Sequence, residues 1–146
     1  MNEAPVSDAD RNKHLDYLQA TVARLAGNSF QLKGWSVGLG SVLIGFVTKD
    51  SHPRLAWVAL LPILAFWALD GYYLSLERLY RRLYNRVAGL DGEQPLPQFD
   101  MDAGRVTGSL WAQSVMRLSV LLVHLALVVI AVAVTMYGFF VVTPHQ

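Results

Sequence analysis

Between Leu118 and Val142 the chain runs for 25 residues without an Asp, Glu, Lys or Arg. At about 1.5 Å per residue, a helix of that length matches the roughly 30 Å hydrocarbon core of a bilayer. A buried strand is much shorter, and a helix on a soluble core carries a polar face. A second run, Leu55 to Leu69, extends through Gly71, Tyr72, Tyr73 and Leu74 with Asp70 as its one charge. A third, Phe30 to Thr48, is strongly polar only at Gln31 and Lys33. The pattern predicts an all-α integral membrane protein with three transmembrane helices and a helical cytoplasmic part, assembled as an oligomer.

Composition agrees. Charged residues make up 16% of the chain, against about 25% in soluble domains. A hydrophobic share of 53% excludes a disordered chain. The absence of cysteine excludes disulfides, thiolate catalysis and zinc–cysteine sites. The first residues are polar and acidic, unlike a secretory signal, so the first apolar run is expected to stay as an anchor.

Lys and Arg set the orientation. Of 12 such residues, only Lys49 and Arg54 fall in the turn between the first two spans and none in the tail. The other ten, Arg11, Lys13, Arg24, Lys33, Arg78, Arg81, Arg82, Arg86, Arg105 and Arg117, fall in the N-terminal arm and the middle segment. Arm and middle are therefore expected in the cytoplasm, and the tail from Thr143 to Gln146 outside.

The chain divides into six segments. Residues 1–29 hold a cytoplasmic amphipathic helix with Ser7 as N-cap and a Leu15, Leu18, Val22, Leu25 stripe. Gly27 and Asn28 are expected to end or bend it, with Ser29 capping the next helix. Residues 30–75 form a transmembrane hairpin, with Pro62 kinking its second arm. Residues 76–89 extend that arm into the cytoplasm, where Leu76, Leu79, Leu83 and Val87 can pack on the first stripe. Residues 90–104 form an acidic loop broken by Pro95 and Pro97. Residues 105–116 form an amphipathic helix capped by Asp102, leading into the third span at 117–142. Trp35, Trp57, Trp67, Tyr72, Tyr73 and Trp111 suit an aromatic belt at the interfaces.

Three groups of residues are candidates for function. The hairpin centres near position 51.5, so Lys33 and Asp70 lie at matching depth, and His124, about 10 Å beyond Arg117 along its helix, reaches a similar layer. Charges in lipid are costly, so a Lys33–Asp70 pair with His124 beside it is expected. Gly34, Gly38, Ser41 and Gly45 share one face of the first span, suited to close packing on the second span or on another subunit. Arg78, Arg81, Arg82 and Arg86 fall within about 140° of arc, with Tyr80 and Tyr84 nearby. They either hold lipid headgroups or form a polyanion site with aromatic stacking.

No dinucleotide fingerprint, phosphate-binding loop, zinc-protease motif or nucleophile elbow occurs. Four scattered histidines give no metal spacing. No enzyme activity, cofactor or metal is expected.

HLDYLQATVARLAGNSFQLKGWSV, from His14 to Val37, resembles the opening of small bacterial three-span membrane proteins: a helix, then NSFxLKGW, then a hairpin. ALDGYYLSLERLYRRLYNRV, from Ala68 to Val87, is similar to the segment after their second span. Among proteins of this shape, the chain resembles the channel effector of Hailong-type anti-phage defence. That resemblance implies the bacterial inner membrane and a channel held shut by short single-stranded DNA, which a partner nucleotidyltransferase makes. The expected function is thus an oligomeric channel or pore-forming effector, most simply a tetramer, gated by its cytoplasmic helices through a nucleic-acid or nucleotide ligand. The alternative is a non-conducting membrane scaffold that recruits a cytoplasmic partner.

Overall fold

The computed structural model describes residues 7–49, 56–92 and 99–142. Outside these lie most of the turn expected to carry Lys49 and Arg54, the prolines Pro95 and Pro97, and the tail. The described residues form four helices and no strand: α1 (Asp8–Lys49), α2 (Ala56–Val87), α3 (Gly108–Val115) and α4 (Leu118–Val142). Two are long and apolar enough to cross a membrane, α2 over Trp57–Val87 and α4 over Leu118–Tyr137. The third expected span lies within α1, where glycines, serines, Gln31 and Lys33 dilute the apolar residues.

Ser7 begins α1 as expected: its hydroxyl accepts a hydrogen bond from the Ala9 N–H, and Asp8 and Asp10 sit in the first turn. The helix does not stop or restart at Gly27 and Asn28. It continues for 42 residues, and Ser29 caps nothing. An interior glycine costs a helix only about 1 kcal/mol, and tertiary packing outweighs that here. Leu18, Leu25, Ser29, Ser36, Gly40 and Ile44 form one buried stripe across the glycine, so breaking the helix would break the seam.

That stripe lies against α2, antiparallel. Lys33 meets Asp70 and Gly40 meets Ile63, and both pairs centre on position 51.5. Leu79 and Leu83 of α2 are buried toward the other end, as are Leu18 and Leu25 of α1. Pro62 lies inside α2 without ending it. The helix ends at Gly89, whose φ of +71° suits glycine. There Gly89 N–H donates to the Arg86 carbonyl and Leu90 N–H to the Asn85 carbonyl, satisfying the last carbonyls.

α4 packs beside both. Ile44, Ala59, Ile63, Leu127 and Ala131 make one core cluster from α1, α2 and α4. Val120, His124, Leu127, Ala131 and Thr135 line its buried face, three or four residues apart. His124 stacks on Trp67 and Leu127 clusters with Ile63, so α4 runs antiparallel to α2 and parallel to α1.

The approach to α4 departs from expectation. Asp102 does not cap a helix; its carboxylate accepts from the Gly104 N–H in a local turn. Thr107 caps α3, its hydroxyl accepting from the Leu110 N–H. α3 then stops at Met116 instead of running on into α4. Its end is fixed by Gly71 of α2: a Cβ built there would lie 2.3 Å from the Val115 methyl. Only a glycine lets the two backbones come this close. Residues 99–104 fold back on α1, where the buried His14 ring donates from Nε2 to the Asp100 carbonyl at 2.9 Å. Phe99, at φ 59°, packs its ring 5.7 Å from that imidazole.

Candidate functional site

The polar centre of the molecule lies where α1, α2 and α4 meet. Asp70 and His124 are both completely buried. The Lys33 ammonium reaches both carboxylate oxygens of Asp70, at 2.8 Å and 2.7 Å. It also donates to the Ser29 hydroxyl at 2.9 Å, and that hydroxyl donates to Asp70. Ser29 and Lys33 are one helical turn apart, which is why both reach one carboxylate. Of these groups Lys33 alone meets the surface, its side chain 19% exposed against 0% for Asp70.

His124 completes the cluster from the other side. Its Nδ1 lies 2.9 Å from the Val120 carbonyl and 4.0 Å from an Asp70 oxygen. A carbonyl only accepts, so Nδ1 carries a proton and, in the neutral ring, Nε2 is the bare acceptor. Nε2 is buried with no hydrogen-bond partner, as is the Ser36 hydroxyl. The ring stacks on Trp67 with centroids 6.0 Å apart and planes 9° from parallel. Trp67 is held there by its own indole N–H, which donates to the Val115 carbonyl. It therefore belongs to the cluster as well as to any interfacial belt. Trp35, Trp57 and Trp111 are exposed.

The expected trio of Lys33, Asp70 and His124 is thus one cluster. Ser29 and Trp67 are members that sequence reasoning missed. The Ser29–Lys33 and Trp67–Asp70 spacings of four and three were the available signals. Among the described residues, no three His, Asp or Glu side chains converge in a way that could hold a metal.

The small-residue face turns out differently from one of its two readings. Gly34, Gly38, Ser41 and Gly45 do not pack on the second helix; all four are exposed. A Cβ added at Gly34, Gly38 or Gly45 meets nothing within 4 Å. The glycine that packs inside the chain is Gly40, whose Cβ position lies 3.4 Å from Ile63 and 3.8 Å from Leu127. Because α1 is unbroken, the exposed face extends through Gly27 and Gln31. Gly27, Gln31, Gly34, Gly38, Ser41 and Gly45 then follow steps of four, three, four, three and four. At about 100° per residue this seam lies roughly 160° from the buried stripe.

The arginines of α2 do not converge within one chain. Arg78 is half-buried and donates to the Ser114 hydroxyl of α3. Arg81 pairs with Glu77 one turn back, at 2.8 Å. Arg81 and Arg82 are exposed, whereas Arg86, Tyr80 and Tyr84 are half-buried. Arg81 and Tyr84 meet at a groove of about 370 Å³, lined also by Gln19, Val22 and Asn85. A second groove of about 550 Å³ lies between α1 and the docked loop, at Tyr17, Arg24, Phe99 and Met101.

No family model, no curated protein and no solved structure matches the chain, so the site's own chemistry carries the functional reading.

Proposed function

We propose that the chain is a three-span membrane protein of the bacterial inner membrane, assembled as a homo-oligomer, and that it acts as a channel or pore-forming effector. Only 28% of the most apolar window in each of α2 and α4 is buried, whereas a soluble core helix buries most of its surface. α1 pairs with α2 in register as far as the Ile44–Ala59 level, so α1 crosses alongside it. N-terminus inside and C-terminus outside follow from the Lys and Arg distribution.

The observation that carries the oligomeric reading is the open seam of Gly27, Gln31, Gly34, Gly38, Ser41 and Gly45 on α1. Lipid tails gain nothing from a glycine face, whereas neighbouring helices approach closely across one. Closed rings are the default for a repeated chain, and a tetramer places four seams around one axis. The seam also presents polar groups and uncovered backbone. Along most of its length α4 offers no such lining, because His124 and Thr135 are buried and, among the described residues, only Ser119, near its start, is an exposed polar residue. A phosphate-rich ligand, short single-stranded DNA or a nucleotide, fits the groove where Arg81 and Tyr84 meet, since a cation beside an aromatic ring is the usual platform. Control of anti-phage defence by such a ligand is part of the same proposal.

The test uses the absence of native cysteine. Purified protein is recorded in planar bilayers as Ser41→Cys and, separately, as Ser36→Cys. A charged thiol reagent is expected to block current through the first and leave the second unchanged. Absence of current overturns the channel, and block only through position 36 overturns the α1 seam as its lining. A silent protein that still oligomerises favours the scaffold reading, for which the groove at Tyr17 and Phe99 is the docking surface to probe.

A further inference from the structure

α3 is a short helix without a charge, and three contacts lay it across one side of α2. The Trp111 indole N–H donates to the Ala68 carbonyl at 3.0 Å, Val115 meets Gly71, and the Arg78 guanidinium donates to the Ser114 hydroxyl at 3.2 Å. Ser114 is completely buried and donates in turn to the Leu110 carbonyl, so the end of Arg78 is held in place. Only Met116 and Arg117 separate α3 from α4. The apolar window of α4 begins at Leu118 and runs for 20 residues, which is about the full thickness of the hydrocarbon. α3 therefore lies at the edge of that layer, where Trp111, Met116 and Leu118 are exposed.

The charges around α3 are unbalanced. Gly71, Ser75, Arg78 and Arg82 follow steps of four, three and four, so they share the side of α2 that meets α3. Arg82 is exposed and stands one turn past Arg78, a spacing at which like charges repel. Glu77, the one acid on α2 beyond Asp70, pairs with Arg81. From Ala103 to the end of the chain there is no Asp or Glu, while Arg105 and Arg117 flank α3. Among the described residues neither Arg78 nor Arg82 meets a carboxylate.

We propose that Arg78 and Arg82 hold the phosphate of an anionic phospholipid, whose chains lie along the exposed apolar side of α3 at Trp111 and Met116. An arginine fork binds two phosphate oxygens at once, and a phosphate between the two arginines removes their repulsion. A free phosphate offers the arginines the same chemistry but leaves Trp111, Met116 and Leu118 facing water; a lipid covers both. Trp111 also suits the headgroup layer, since its indole N–H is satisfied by Ala68 while its ring stays open. A lipid held here fixes α3 to the bilayer and, through Val115 and Gly71, braces α2 where it leaves the apolar layer. The inference rests on the membrane reading above and not on conduction.

The probe is phosphatidylglycerol. The full chain in non-ionic detergent is titrated with phosphatidylglycerol, phosphatidylcholine or inorganic phosphate, and bound molecules are counted by native mass spectrometry. Each arginine near an anionic lipid is worth about a fivefold gain in binding, so phosphatidylglycerol is expected to bind at least about fivefold more tightly than phosphatidylcholine. Arg78→Gln with Arg82→Gln should bring the two lipids level. Arg78→Lys with Arg82→Lys keeps the charge and should retain most of the preference, which separates lost charge from lost fold. Arg11→Gln with Arg24→Gln, an equal loss of charge on α1, should leave the preference unchanged, and millimolar inorganic phosphate should displace no lipid. Equal binding of the two lipids by the natural chain, a preference that survives the glutamine pair, equal losses in the lysine and glutamine pairs, a loss in the α1 pair, or displacement by inorganic phosphate each overturns the lipid site. Flotation with neutral phosphatidylcholine vesicles checks the membrane reading separately. A chain that fails to float overturns that reading and the site with it, whereas one that floats but shows no lipid preference overturns the site alone.

Discussion

On one side of α1, Ser29, Ser36 and Gly40 lie buried against α2 and α4; on the other, Gly34, Gly38, Ser41 and Gly45 are exposed. Both faces are small and weakly polar, and both repeat at helical spacing. What separates them is the company of Lys33. Its ammonium must reach Asp70, so the stripe that contains Ser29 and Lys33 turns inward, and every small residue a turn away along it turns inward too. Gly34 and Gly38 on the far face are then left with open space beside their Cα atoms. A small-residue motif marks a surface that permits close approach; a charge with a single available counter-ion decides which surface is used first.

The largest effect expected from breaking this contrast is at Asp70. Removing one member of a buried pair typically costs about 3–5 kcal/mol. Asp70→Asn should fall near the lower end, since Lys33 can reach the surface. Joint Lys33→Met and Asp70→Leu should cost clearly less than Asp70→Asn alone. Unfolding by denaturant in mixed micelles measures both, and equal losses would mean the pair does not set the inward face.

Next comes Gly71, where an added methyl overlaps the Val115 side chain at 2.3 Å. Gly71→Ala should destabilise by about 1–3 kcal/mol, the usual range for overpacking, and Val115→Ala should restore much of it. Gly38→Ala tests the opposite face. With nothing within 4 Å of the new methyl, the single chain should gain up to about 1 kcal/mol from helix propensity. Any loss should then appear only as weakened self-association, read by mass in nanodiscs across dilution.

The smallest effect is expected at Ser36, whose hydroxyl is buried without a partner. An unmet polar group costs about 1–3 kcal/mol. Ser36→Ala should therefore be neutral or stabilising by up to about 1 kcal/mol, whereas Ser29→Ala, which removes a donor to Asp70, should destabilise.

Much of the fold was legible from local rules. The apolar runs marked α2 and α4, Ser7 marked the start of α1, and hairpin symmetry about position 51.5 placed Lys33 opposite Asp70. Rules of the same local kind failed where packing overrode them. Gly27 reads as a helix end, yet the stripe from Leu18 to Ile44 carries the helix through it. Asp102 reads as an N-cap, yet Thr107 holds that place, because Val115 must meet Gly71 and so fixes where α3 sits. His14 carried no signal at all: its partner is a backbone carbonyl at Asp100, and a carbonyl has no identity in the sequence. Of the candidate site, the charged members could be found by depth arithmetic. Ser29 and Trp67 could be found only through their spacings of four and three from Lys33 and Asp70, since serines and tryptophans are ordinary in such helices until a neighbour gives them a role.

The most direct measurement is disulfide cross-linking in native membranes, using chains that carry one cysteine each, at Gly38 or at Ser36. The chain has no cysteine of its own, so any covalent dimer reports the introduced site. Gly38→Cys is expected to give dimers on mild oxidation, because the open seam meets its copy in a neighbouring subunit. Ser36→Cys is expected to stay monomeric, enclosed by α2 and α4. Dimers through position 36, or none through position 38 in a protein that is otherwise folded, would contradict the assignment of the two faces.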